Sequence, residues 1–102
     1  MFSGYKSSLN MTEWNHCVSR FEIAERQWRE KLIPVNNVRN KLHQREVFII
    51  NNKFEEIRHF IQTRSWYQNH ETLFELRKKI QDLNYYLLIS ALKLHVNFSI
   101  HP

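Results

Sequence analysis

The chain has 102 residues and a mass of 12.6 kDa, with 15 Lys and Arg against 10 Asp and Glu for a formal net charge of +5 with neutral histidines, and 42% of its residues are hydrophobic. That is enough apolar material for one core, too much for general disorder, and too short a chain for a two-domain enzyme with a large cleft. A single Gly and a single Cys exclude glycine-rich phosphate loops, dinucleotide-binding turns, an intrachain disulfide and a multi-thiolate zinc site, and they make a hairpin-rich all-β fold a poor fit.

Residues 1–10, with Ser3, Gly4, Ser7 and Ser8, read as a loose arm without the apolar core of a signal peptide. From Trp14 the pattern becomes helical. Trp14, Cys17, Phe21, Ala24, Trp28 and Leu32 recur at steps of three and four and fall on one face of a helix over about residues 11–33. Asn10 and Glu13 have the spacing of a capping box, and Pro34 is expected to stop the helix, holding Ile33 away from αR.

A second helix is expected over about 37–64, capped by Asn36 or Asn37. Its apolar stripe begins as Val35, Val38, Leu42 and Ile49 and then moves round to Ile50, Phe54, Ile57 and Ile61, a rotation of roughly a quarter turn at ~100° per residue. One long helix facing different neighbours accounts for the rotation, as does a break at Asn51-Asn52; the absence of Gly and Pro favours the long helix with a kink. The third helix, over about 69–96, can start at Ser65/Gln68 or Thr72/Glu75. It carries the clearest seam: Leu73, Leu76, Ile80, Leu83, Leu87, Ser90 and Leu94. Pairs at i,i+4, namely Glu22 with Arg26, Glu25 with Arg29 and Glu75 with Lys79, support the exposed faces. The fold class that follows is all-α, an antiparallel up-down bundle of three helices, or four, with coiled-coil-like seams; residues 11–102 form its single domain.

The feature that bears most on function is a second apolar stripe on the last helix. Tyr85, Ile89, Leu92 and Val96, flanked by Leu88, lie nearly opposite the Leu87 seam, while the same face carries Lys78 and Asp82 further upstream. A helix apolar on two sides must be covered on both. The arm or a kinked second helix could cover it from within; another chain, a second copy or a different protein, could cover it from outside, and two adjacent tyrosines suit such an interface. The second reading makes the protein a non-enzymatic adaptor, chaperone or inhibitor. The alternative is nucleic-acid binding through Arg39, Lys41 and Arg45 on one helix and Arg77, Lys78 and Lys79 on the next, although interleaved Glu residues argue for a solvated surface.

Other chemistry finds little footing. The six histidines (His16, His43, His59, His70, His95 and His101) form no His-x3-His pair, and His16 and Cys17 diverge on a helix, so no metal site is expected. Cys17 falls on the core seam, where a free thiol behaves as a small hydrophobe. No nucleophile–base pair and no cofactor site can be assembled, and an enzyme is not expected. The most apolar stretch, Tyr85 to Leu94, is about half of the ~20 residues a membrane span needs, so the sequence reads as a cytoplasmic protein without membrane insertion.

Overall fold

The apolar residues at three- and four-residue steps fold as helices throughout. The computed structural model describes residues 2–64 and 70–98, with side chains from Met11 onward. Helix α1 spans Phe2–Gln27, so the backbone is already helical through the expected loose arm and Asn10 lies inside the helix rather than at its cap. The chain continues without interruption through a π turn, Trp28–Leu32, into α2, Ile33–Arg39.

Pro34 therefore does not end the first helix, and Ile33 stays in αR at φ −61° and ψ −48°. The π turn supplies the reason. The Ile33 N–H reaches back five residues to the Trp28 carbonyl, which resets the hydrogen-bond ladder just before the proline. Pro34 then enters at the start of a fresh α segment, where its missing N–H forfeits nothing. The stop comes at Asn40 instead, which takes the left-handed conformation (φ 53°, ψ 47°) and donates its N–H to the Asn36 carbonyl at 2.7 Å. Asn36, expected as an N-cap, closes this end: its Oδ1 accepts from the Lys41 and Leu42 N–H groups at 3.1 and 2.9 Å. The N-cap that follows is His43, extended, with Nδ1 accepting from the Arg45 N–H at 3.0 Å.

Helix α3 runs unbroken over Gln44–Thr63. The polar pair Asn51-Asn52 makes no break in it, because Asn51 Oδ1 accepts from Trp28 Nε1 at 2.9 Å across the helix interface. The rotating stripe also resolves: Val35 and Val38 belong to α2, and Ile50, Phe54, Ile57 and Phe60 form one buried face of α3. Helix α4 spans His70–Leu94. Thr72 is thus inside the helix rather than its cap, and the Ser65/Gln68 alternative lies outside the described residues. His95 ends α4 in the left-handed region (φ 57°), with His95 N–H to the Leu92 carbonyl at 3.2 Å and Val96 N–H to the Ala91 carbonyl at 2.9 Å, the bonding pattern of a Schellman motif.

Aromatic contacts fix the packing of α1 on α3. Trp14 stacks on Phe60 (centroids 6.5 Å apart), Phe21 meets Phe54 at 5.8 Å, and Trp28 stacks on Phe54 at 6.4 Å, so the two helices run in opposite senses. Ion pairs give α3 and α4 the same relation: Lys79 with Glu56 at 2.7 Å, Lys53 with Asp82 at 2.5 Å and Lys93 with Glu46 at 2.8 Å. Lys79 makes this cross-helix pair instead of an i,i+4 one, whereas Glu25 and Arg29 do pair along α1, at 3.4 Å. The result is an all-α bundle shaped as a rod, 56 × 22 × 17 Å, with a radius of gyration of 15.5 Å. A compact chain of this length would have about 13 Å. Such a rod covers one side of each helix and leaves the other to solvent.

Candidate functional site: the outer face of α4

The two sides of α4 carry similar residues and opposite surroundings. Leu76, Leu83, Leu87 and Leu94 are wholly buried between α1 and α3. On the other side Phe74, Tyr85 and Leu92 are 60%, 59% and 65% exposed. Leu88 and Ile89 stand between Tyr85 and Leu92 and are half-buried. Val96, expected in this stripe, lies beyond the helix end, where the Schellman turn folds it back against the core. The outer stripe is thus exposed at Tyr85 and Leu92 and half-buried at Leu88 and Ile89 between them, and Phe74 extends its line upstream.

Phe74 is the residue that sequence reasoning missed. The signal was present: Phe74, Lys78, Gln81, Tyr85, Leu88 and Leu92 repeat the three–four alternation of the buried seam, but the polar Lys78 and Gln81 interrupt its apolar character. The Lys78 ammonium sits 5.3 Å from the Phe74 ring centroid, so even this break folds onto an aromatic surface. At the centre of the face, Tyr85 and Tyr86 pack edge to face with centroids 6.2 Å apart. Lys53 reaches over from α3 to within 4.5 Å of the Tyr86 ring while pairing with Asp82. The tyrosine pair is thereby braced from α3.

The basic residues are dispersed. Arg39 donates to the Leu94 carbonyl and, at 3.5 Å, to that of His95, while Lys31 donates to the Asn97 carbonyl at 2.6 Å. Both cations thereby serve the carbonyl end of α4, where the helix dipole favours positive charge. Lys41 and Arg45 are exposed beside the turn between α2 and α3. Arg77 faces Glu13 at 3.7 Å and Lys79 pairs with Glu56. Fifteen residues of α4 separate Lys79 from Leu94, about 22 Å at 1.5 Å per residue, so the two basic groups occupy different ends of the rod.

Among the described residues, no three His, Cys, Asp or Glu side chains converge as a metal site would require, and His101 lies outside them. Cys17 is buried, and burial pushes its thiol pKa up against the opposing pull of Arg20 and Arg77. No helix among the described residues is long and apolar enough to cross a membrane. Comparison with protein-family models, curated proteins and solved structures finds no match, so the reading of this chain rests on its own residues.

Proposed function

We propose that the protein is a non-enzymatic protein–protein interaction module, an adaptor, chaperone or inhibitor, that works by laying the outer face of α4 on another chain. The observation that carries this reading is the exposure of Phe74, Tyr85 and Leu92 along one line of a helix whose other side is already buried. Large exposed apolar side chains gathered on one face are what interfaces bury.

A second copy of the chain is the occupant that fits best. The central group is symmetric about the midpoint between Leu88 and Ile89. An antiparallel copy centred there sets Tyr85 against Leu92 of the other copy and Leu88 against its Ile89. Each contact occurs twice, as a two-fold interface demands. Replacing Ile89 and Leu92 together by Asp tests this. The double variant is expected to lose association while keeping the helical circular-dichroism spectrum of the wild type; loss of the monomer fold would mean that the stripe is ordinary core. The basic residues support nucleic-acid binding less well, since Arg39, Arg77 and Lys79 already have partners within the chain.

A further inference from the structure

Beyond the outer face of α4, two large hydrophobic side chains stand out in water at the turn between α2 and α3: Val38, 86% exposed, and Phe48, 64% exposed. Val38 lies in the last turn of α2, a segment with no buried residue. Phe48 follows Arg45 at i+3 on α3, nearly opposite the buried Ile50, so the aromatic ring and the cation share the outward side of that helix. The turn between Val38 and Phe48 is held in one shape, since Leu42 is buried beneath it and Asn36 Oδ1 accepts from the Lys41 and Leu42 N–H groups.

The same end of the rod carries uncancelled positive charge. It holds Lys31, Arg39, Lys41, Arg45 and Lys93 against two carboxylates, Glu30 and Glu46. Glu46 is taken by Lys93 at 2.8 Å. Lys31 and Arg39 donate to backbone carbonyls, which carry no formal charge to cancel theirs. The side chains of Lys41 and Arg45 are exposed and have no partner among the described residues. At the opposite end Arg77 and Lys79 face Glu13 and Glu56 instead.

We propose that the α2–α3 end of the rod docks on an anionic lipid surface, with Lys41 and Arg45 among the headgroups and Val38 and Phe48 at the boundary with the acyl chains. Such peripheral binding grows with the apolar area buried and with the attraction of cations to anionic lipid. The combination selects lipid over nucleic acid, because a phosphodiester backbone attracts the two cations and offers nothing to an exposed valine. The contact is reversible and lies on the membrane surface, since two cations and two apolar side chains fall well short of a lipid anchor. None of these residues belongs to the Tyr85–Leu92 stripe, so this inference and the reading of the outer face of α4 stand or fall separately.

Co-sedimentation of the full-length protein with phosphatidylcholine vesicles, with and without phosphatidylserine, tests the assignment. Binding to the phosphatidylserine vesicles that weakens with added salt, and at least tenfold weaker binding to phosphatidylcholine alone, are expected. Lys41→Glu with Arg45→Glu is expected to weaken binding at least tenfold, and Val38→Ser with Phe48→Ser at least threefold, each with the circular-dichroism spectrum of the wild type. Lys41→Gln with Arg45→Gln, expected to weaken binding at least threefold, gives the same readout if charge reversal disturbs the fold. Ile89→Asp with Leu92→Asp is expected to bind these vesicles as the wild type does. Absence of binding to the phosphatidylserine vesicles, equal binding to both kinds, or loss of binding in the Ile89 and Leu92 variant would overturn the proposal. So would full binding in Val38→Ser with Phe48→Ser together with salt-sensitive retention on duplex DNA, which would make this end a general polyanion site.

Discussion

Leu87 and Leu92 are one and a half turns apart on the same helix, and the first is fully buried while the second is 65% exposed. Helix propensity is identical for the two, so the difference lies wholly in what the bundle places beside them. Burying a leucine side chain contributes roughly 1.5–3 kcal/mol. The inner face of α4 realises that stabilisation through Leu76, Ile80, Leu83, Leu87 and Leu94, which α1 and α3 enclose. On the outer face the stabilisation is available only to a chain that docks there. A rod three helices thick thus gives the same residue type two surroundings, packed core on one side and solvent on the other, and the second is the side we propose for recognition.

Truncating the two leucines breaks the comparison most directly. Leu87→Ala is expected to destabilise the monomer by about 2–5 kcal/mol, since it leaves a cavity in packed surroundings. Leu92→Ala in dilute solution is expected to stay within about 0.5 kcal/mol of the wild type. Urea denaturation of both variants checks this, and equal losses would make the outer face core. A smaller effect is expected at the seam between α1 and α3. Trp28→Phe keeps the ring stacked on Phe54 but removes the donor to Asn51, for a loss of about 1–2 kcal/mol by the same measurement. Asn36→Ala strips the acceptor from two backbone N–H groups, the Lys41 one exposed and the Leu42 one partly buried, and a loss of about 1 kcal/mol is expected from its thermal midpoint. Lys93→Ala, which removes only a partly exposed pair with Glu46, should cost less than about 1 kcal/mol and less still at high salt.

The apolar periodicity made the buried faces legible. Trp14, Cys17, Phe21, Ala24, Trp28 and Leu32 on α1, and Leu73, Leu76, Ile80, Leu83, Leu87, Ser90 and Leu94 on α4, all lie in the interior. The punctuation between helices was less legible, for a physical reason. Pro34 is a stop signal only if the preceding ladder is α; one π turn moves the proline to a first-turn position, and nothing in the local composition announces that shift. Asn40 ends the helix because asparagine tolerates the left-handed region and Asn36 gathers the next two N–H groups, a task usually given to glycine. At the candidate site, Tyr85 and Leu92 were evident from spacing. Phe74 was hidden by Lys78, and Val96 left the stripe because the Schellman turn redirects the chain after Leu94.

Sedimentation equilibrium of the wild-type chain over a wide concentration range tests the outer face of α4 most directly. A mass that climbs from 12.6 kDa towards twice that value is the expected result. A mass that stays at one chain at the highest concentrations reached would contradict self-association through this face.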